Sequence, residues 1–198
     1  QRCRFGQNTG NGYHPGAGST AALFEGRVAE ANGAAGFFFC VRANHIPVCD
    51  CAFSGNHACG ISVGTRDCHN RITACEMTNN AGPGLLIRNT SRPVEVHSCY
   101  VSGCRIESNA FEHGRAQVDI LGDAHDLVLE QNQIAGSAER ERAGIYLAPS
   151  TDRIWLIENE VKACCPALVT ARAPRTDPPP QFECGIEAVH EIHYRHLG

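Results

Sequence analysis

A glycine that opens a short strand of apolar, variable and apolar residues recurs along most of this chain, and it constrains the fold more than any other feature. The first three copies are 24 residues apart, and the glycine is replaced by Gln117 in the fourth: 36–39, 60–63, 84–87, 117–120, 144–147 and 185–188. Polar turns and further short apolar strands, such as 127–129 and 153–157, lie between the copies. Two or three strands per coil of roughly 22–25 residues predict an all-β, single-stranded right-handed parallel β-helix of about 6–7 coils.

The length of 198 residues suits one domain with a continuous core. We expect regular coils over about 22–165, with a loop and a C-terminal coil or cap over 166–198. The interval between the copies at 84 and 117 is longer than one coil, so 93–104 is predicted to be an insertion that loops out of the stack. In this interpretation residues 105–109 form the second strand of that coil. Loops on a rigid scaffold often carry binding residues.

The segment from Gly60 to Asn70, with the sequence GISVGTRDCHN, resembles the coil repeats of the pectate-lyase-like superfamily of right-handed parallel β-helix proteins. That superfamily includes polysaccharide lyases, glycoside hydrolases, uronate epimerases, phage tailspikes and non-catalytic surface proteins. The resemblance implies a substrate groove along one sheet face and a ladder of stacked asparagines inside the coils. The sequence itself assigns no cofactor, and the resemblance makes Ca²⁺ a candidate, since lyases of the superfamily often hold this ion with aspartates. Fold resemblance alone does not select one of these activities.

The twelve cysteines are an even number, which invites a disulfide interpretation. The alignment of coils instead places two of them in one column with three asparagines, similar to the asparagine ladder of the superfamily: Cys51, Cys75, Asn109, Asn132 and Asn159. Cys51 and Cys75 are therefore predicted to be buried thiols. A disulfide from Cys184 to Cys164 or Cys165, across the loop 166–183, stays an alternative.

Three histidines near the C-terminus, His190, His193 and His196, have three-residue spacing. On a helix they would share a loose face and could bind a metal, whereas in an extended tail they would scatter. We favour the tail, so no metal ligands are assigned.

The middle residue of each repeated strand is predicted to face outward, because side chains alternate between the two faces of a sheet. This outward column contains Phe38, Ser62, Leu86, Asp119, Tyr146 and Glu187. Asp119 and Tyr146, with Arg88 below them and Glu187 above, would form a polar and aromatic patch. We take Asp119, Arg88, Tyr146 and Glu187 as the candidate catalytic residues. The alternative is that these side chains belong to an ordinary solvated strand face.

The superfamily resemblance and the patch around Asp119 and Tyr146 predict a protein that acts on or binds a polysaccharide, as a lyase or epimerase of an anionic, uronate-containing glycan. Such chemistry requires a cation for the carboxylate, a base for the C5 proton and an acid for any leaving oxygen. The Asp-Pro-His-Glu motif of alginate epimerases is absent, as is the polygalacturonase pattern. The alternative is therefore a non-catalytic surface or structural β-helix module. A metal-binding role through cysteine and histidine is a third hypothesis.

Composition narrows the choice of partners. The net charge of −4 argues against nucleic acid, and no apolar stretch approaches the length of a membrane-spanning helix. The superfamily resemblance makes a polysaccharide the expected partner, for a monomer or a piece of a larger chain. We expect a secreted or cell-surface location, although no signal peptide is recognisable.

Overall fold

The computed structural model describes residues 3–89, 96–137 and 142–180, and all regular structure within these ranges is β-strand. Nineteen strands form three parallel sheets, and strands that are neighbours in a sheet come from successive coils. This pairing defines a solenoid in which each coil contacts only the coils next to it. The predicted all-β parallel solenoid is confirmed, with about six turns.

The sheets are named A, B and C, and their strands are given in spatial order. Sheet A contains β1 (Arg4–Gly6), β3 (Val28–Glu30), β6 (Ala52–Ser54), β9 (Glu76–Thr78), β12 (Arg105–Glu107), β15 (Gln133–Ala135) and β18 (Glu160–Lys162). Sheet B contains β4 (Phe37–Phe38), β7 (Ile61–Val63), β10 (Leu85–Ile87), β13 (Ala116–Ile120), β16 (Ala143–Leu147) and β19 (Leu168–Thr170). Sheet C contains β2 (Phe24–Glu25), β5 (Pro47–Cys49), β8 (Arg71–Thr73), β11 (His97–Ser102), β14 (His125–Glu130) and β17 (Asp152–Ile157).

The core fills the space between the three sheets, and the sequence alternation determines which side chains enter it. In β7, Ile61 and Val63 belong to the core while Ser62 between them faces the outer side of sheet B. Phe37 and Phe53 contribute large rings to the same core and are fully buried. Burial of such apolar side chains is the main favourable contribution to folding of the stack.

The bend from each strand of sheet C to the next strand of sheet A contains one residue with positive φ. Most L-amino acids rarely adopt this conformation, yet the bend repeats in every coil. The residues are Gly26, Asp50, Ala74, Gly103, Gln131 and Glu158. Because only two of these six are glycine, the hydrogen bonds between coils impose the bend even where the local sequence disfavours it.

Two ladders of hydrogen-bonded side chains run along the bends. In the first, Oδ1 of Asn80 accepts the backbone N–H of Asn56 at 3.0 Å, and Oδ1 of Asn109 accepts that of Asn80 at 3.0 Å. In the second, Oδ1 of Asn132 accepts the N–H of Cys104 at 3.0 Å. The second ladder contains Cys51, Cys75, Cys104, Asn132 and Asn159.

The predicted column was therefore wrong at one position, because Asn109 belongs to the first ladder and Cys104 takes its place. Cys51 and Cys75 are buried, as predicted. The eleven cysteines in the described ranges are all free thiols, and Cys184 lies outside those ranges.

The repeated glycine is needed because the next coil leaves no room for a side chain. A Cβ on Gly60 would lie 2.6 Å from the carbonyl oxygen of Gly84, which real structures do not tolerate. Gln117 replaces glycine in the fourth copy and uses its amide to continue the first ladder. Its Oε1 accepts the backbone N–H of Asn109 at 2.7 Å, and its Nε2 donates to the Asn109 carbonyl at 2.9 Å.

The predicted insertion over 93–104 was wrong for its C-terminal part. His97–Ser102 forms β11, which pairs with β8 and β14 inside the stack. The second strand of that coil is therefore β11, and residues 105–107 form β12 of sheet A. Residues 93–95 lie outside the described ranges. Stacked strands also begin earlier than residue 22, at β1, and continue past 165 to β19.

Across the described ranges no helix is long and apolar enough to cross a membrane.

Candidate functional site

The outward column of sheet B has the register that the repeat predicts. Ser62 pairs with Leu86, Leu86 with Asp119, and Asp119 with Tyr146. The next position is taken by Val169, which pairs with Tyr146. The strand β19 therefore contributes the coil next to Tyr146. Glu187 itself lies outside the described ranges.

Two connections that border this column are longer than their counterparts in earlier coils. Sheets A and B are joined by residues 79–84 in one coil and by 108–115 in the next. Sheets B and C are likewise joined by 64–70 in one coil and by 88–96 in the next. The connection 108–115 ends at β13, which carries Asp119, and the connection 88–96 begins after β10, the neighbour of β13 in sheet B. Longer connections on a rigid scaffold often carry binding residues.

The longer connection between β12 and β13 places Arg115 over the outward column. Its guanidinium carbon lies 4.6 Å from the centroid of the Tyr146 ring, which is a cation–π contact. Its backbone N–H donates to Oδ2 of Asp119 at 3.0 Å. Sequence analysis missed Arg115, although the unusual distance from Ile106 to the strand of Asp119 marks the loop that carries it.

Asp119 is buried although it belongs to the outward column, with only 3% of its surface exposed. Its Oδ1 has no hydrogen-bond partner among the described residues. Burial raises the pKa of the Asp119 carboxyl above its ordinary value, against the opposing effects of the N–H groups of Arg115 and Ala116 and of the charges of Arg115 and Arg142. The buried carboxyl therefore favours the protonated form more than a free aspartate does.

An open groove of about 450 Å³ adjoins these residues. Arg115 and Tyr146 stand on one side, and the connections after the sheet B strands form the rest. The lining residues are Asn89, Arg115, Leu121, Gly122, Asp123, Tyr146, Ala148, Pro149 and Ser150. The mixture of one aromatic ring, one guanidinium and several polar groups is typical of a site for a polar ligand. We call it the Tyr146 groove.

Arg88 does not join the predicted patch, because its side chain points away from Asp119 toward the preceding coils. Its Nη1 donates to Oγ of Ser62 at 2.6 Å, and its Nη2 donates to the carbonyl of Phe39 at 3.0 Å. The guanidinium also lies 4.0 Å from the centroid of the Phe38 ring. The prediction that Arg88 contributes to the patch was therefore wrong.

The electrostatic partner of Arg88 is Asp67, which is fully buried. The distance from Nη2 of Arg88 to Oδ2 of Asp67 is 3.6 Å. Asp67 also accepts the N–H groups of Ala43 and Gly64 at 3.0 and 2.9 Å. Burial nevertheless raises the pKa of Asp67 to about 7, against the opposing effects of those N–H groups and of Arg88. Arg88 is thus part of a buried ion pair that holds three coils together.

The Ca²⁺ that the superfamily resemblance implies does not fit the residues at the groove. Calcium prefers six to eight oxygen ligands, with several carboxylates among them. Within the part of the chain that the structure describes, no three histidine, cysteine, aspartate or glutamate side chains come together as metal ligands. Oδ2 of Asp119 already accepts the backbone N–H of Arg115, and Arg115 also supplies a positive charge beside this carboxyl. The candidate metal residues His190, His193 and His196 lie outside the described ranges.

The sequence profile described as "Right handed beta helix region" matches residues 39–171, which is more than half of the chain. The chain belongs to this right-handed β-helix family. A search of curated proteins finds no match.

Solved structures with the same β-helix fold include two modules from Azotobacter vinelandii. The A-module of mannuronan C-5 epimerase AlgE4 has a TM-score of 0.71 and 16% identity, over 90% of this chain and 50% of its own. The A-module of mannuronan C-5 epimerase AlgE6 has a TM-score of 0.61 and 18% identity, over 90% and 57%. The periplasmic alginate epimerase AlgG has a TM-score of 0.63 and 9% identity, over 85% and 44%. This β-helix chain therefore spans about half the length of the structures it matches.

Proposed function

We propose that this β-helix protein binds an anionic, uronate-containing polysaccharide in the Tyr146 groove. The observation that carries the proposal is the Arg115 guanidinium, which the lengthened 108–115 connection holds over the Tyr146 ring at the edge of the groove. Three structures with the same fold are named as epimerases of mannuronan or alginate, which supports a glycan of this class.

The chemistry of the groove suits a uronate. The planar guanidinium of Arg115 can donate two parallel hydrogen bonds to a carboxylate. The aromatic face of Tyr146 offers an apolar surface for the ring of a sugar, and Asn89, Asp123 and Ser150 can hydrogen-bond hydroxyl groups. The groove is open, as a site must be to admit one segment of a long polymer.

Chemistry at C5 of the bound uronate is the finer part of the proposal. Arg115 would neutralise the carboxylate, which acidifies the C5 proton, and one group of the Asp119 and Tyr146 pair would accept that proton. Return of a proton to the opposite face of C5 gives epimerisation, whereas loss of the C4 oxygen substituent gives a lyase product with a new double bond. The raised pKa of Asp119 supports this assignment, because its ionised carboxylate is then a stronger base than that of a free aspartate.

A non-catalytic glycan-binding module is the second candidate, and the burial of Asp119 favours it. Only 3% of this carboxyl residue is exposed, beneath the loop that carries Arg115, so substrate cannot reach it in the described conformation. The chain also lacks the Asp-Pro-His-Glu motif. Under this proposal Arg115 and Tyr146 bind the polymer and no bond is made or broken.

Binding is tested by titrating polymannuronate, polyguluronate, polygalacturonate and a neutral glucan into the protein in a calorimeter. We expect binding of at least one uronan and none of the glucan. Arg115→Ala should weaken that binding about tenfold or more, as the loss of a charge-assisted contact does. Arg105→Ala is the matched control, because Arg105 is an exposed arginine on sheet A. Absence of binding to every uronan, or equal loss in both variants, would overturn the proposal.

Catalysis is tested separately on any uronan that binds. Ultraviolet absorbance of the unsaturated product detects a lyase, and proton NMR of the polymer detects a change at C5. Turnover that Asp119→Asn and Tyr146→Phe abolish without loss of binding supports the enzymatic form. Binding with neither product supports the non-catalytic module.

A further inference from the structure

Four histidines from consecutive coils form a continuous line of ring contacts along one edge of sheet C. The ring centroids of His45 and His69 are 4.8 Å apart with the planes 5° from parallel. His69 and His97 are 5.3 Å apart and nearly perpendicular, and His97 and His125 are 5.3 Å apart with planes at 8°. All four side chains are half-buried. We call this line the histidine ladder.

The backbone explains why the histidines meet. One residue at the start of each sheet C strand has positive φ, a conformation in which histidine is enriched. The column contains Ala21, His45, His69, Ser98, Asp126 and Arg153. His97 and His125 come one residue earlier and pair with each other in register. The ladder therefore crosses from one column to the next between His69 and His97, which accounts for the perpendicular contact.

Among the described residues, charged side chains contact the ladder at its C-terminal end. Nδ1 of His125 is 2.7 Å from Oδ2 of Asp126 and 3.0 Å from Nη2 of Arg153. Arg153 also forms ion pairs with Asp126 and with Asp152, the register partner of His125.

Oγ of Ser98 is 3.1 Å from Nδ1 of His97, so a neutral hydroxyl lies beside the inner part of the ladder. In the part of the chain that the structure describes, Arg153 engages both carboxylates that lie at the C-terminal end of the ladder, those of Asp126 and Asp152.

We propose that the histidine ladder is a pH-sensitive element that stabilises four coils while its imidazoles are neutral and weakens them when acid protonates the rings. Neutral rings stack favourably, whereas two protonated rings at these centroid distances repel each other. Each ring links one coil to the next, so the effect is on the contacts between coils. A solenoid depends on these nearest-neighbour contacts for its stability.

The sign of the effect follows from the direction in which folding moves the pKa of His69. Burial and the neighbouring His45 lower this pKa below its ordinary value of 6.5. The folded state therefore binds fewer protons than the unfolded state in that range. The stabilisation is complete above the unfolded pKa and is lost as the pH falls below it.

Other buried titrating groups give the opposite sign or act elsewhere. The raised pKa values of Asp67 and Asp119 make the fold gain stability on acidification. The pKa of Asp126 is lowered to about 2, mainly by its hydrogen bond from Arg153, so it acts in a more acid range. Asp67 and Asp119 are present in both the wild type and a histidine variant, so their contribution cancels when the two proteins are compared at the same pH.

The test measures urea unfolding of the full chain at several values between about pH 7.5 and pH 5. We expect the unfolding equilibrium constant of a His69→Asn/His97→Gln double variant, divided by that of the wild type at the same pH, to fall as the pH falls across this range. Asparagine tolerates the positive φ at position 69. His57→Gln is the control, since His57 is exposed and outside the ladder. A double variant with the full wild-type pH dependence would overturn the proposal.

A second measurement covers the case in which the double variant does not fold. Imidazole carbon–proton NMR signals of the wild-type protein are followed through the same titration. We expect His69 to titrate below the range of free histidine, together with broadening of amide signals in β5, β8, β11 and β14. Titration of His69 at or above that range would contradict the proposed element.

Discussion

The guanidinium carbon of Arg115 lies 4.6 Å from the centroid of the Tyr146 ring, although the two residues belong to different coils. Arg115 precedes β13, and Tyr146 lies within the neighbouring strand β16. The backbone N–H of Arg115 simultaneously donates to Asp119, the register partner of Tyr146. One residue thus contacts both members of the predicted pair, and it orders the loop that closes over the carboxyl group.

Substitutions of Tyr146 should show that its aromatic ring, and not its hydroxyl group, contributes to uronan binding. Tyr146→Ala removes the ring beneath Arg115 and should weaken uronan binding by roughly 1–2 kcal/mol, because the guanidinium loses the surface that orders it. Tyr146→Phe keeps the ring and should preserve binding to within about twofold. Calorimetric titration of both variants checks this result. Equal affinity of the alanine variant and the wild type would show that the polymer does not use the groove.

Asp119→Asn should change how stability depends on pH. Burial raises the pKa of Asp119 above its ordinary value of 3.8, so the wild-type fold loses stability as the pH rises from that value through the folded pKa. The asparagine variant has no such loss. We therefore expect its free energy of unfolding, relative to the wild type, to increase from about pH 4 to pH 8. Urea unfolding across this range measures the difference, and a constant difference would contradict the raised pKa.

The outward column was predictable from the sequence because it depends only on alternation within strands and on the repeat. The register of Asp119 with Tyr146 follows from those two periods. The same reasoning fails where a connection changes length, because extra residues shift the predicted positions of all the strands that follow. The lengthened connection 88–96 led to the misplacement of β11, and with it to the exchange of Asn109 for Cys104 in the second ladder.

The sequence repeat does not predict the direction in which a long side chain extends. Arg88 could have extended toward Asp119 or toward Ser62, and the choice depends on the buried charge of Asp67 and on the space that Gly64 leaves. The sequence repeat also does not predict the histidine ladder. Its members change column between His69 and His97, so the contact depends on ring size and not on register alone.

Arg88→Met should destabilise the fold in a pH-dependent manner. Its removal leaves Asp67 without its cationic partner, and breaking a buried ion pair costs about 3–5 kcal/mol. The pKa of Asp67 is about 7, so the carboxyl is mostly ionised at about pH 8 and mostly neutral at about pH 5.5. We expect the larger loss at the higher pH, measured by urea unfolding.

Gly64→Ala provides an independent check on the same ion pair. A Cβ at position 64 would lie 2.4 Å from Nη2 of Arg88, so the guanidinium must move. The variant should therefore show a smaller loss of stability with the same dependence on pH. A loss from Arg88→Met that is equal at both pH values would contradict the role assigned to Asp67.

Gln117→Ala should disrupt the junction between the coils that carry Asn109 and Asp119. The Gln117 amide accepts the N–H of Asn109 and donates to its carbonyl, and all three groups are buried. Removing the amide leaves two buried backbone groups without partners, at a cost of about 1–3 kcal/mol for each.

Gln117→Glu is the sharper comparison, because the ionised carboxylate keeps the acceptor but presents no donor to the Asn109 carbonyl. We expect the glutamate variant to approach wild-type stability only when acid protonates its carboxyl group and restores the donor. Thermal unfolding from about pH 4 to pH 8 measures this recovery, and equal losses across that range would contradict the hydrogen bonding assigned to Gln117.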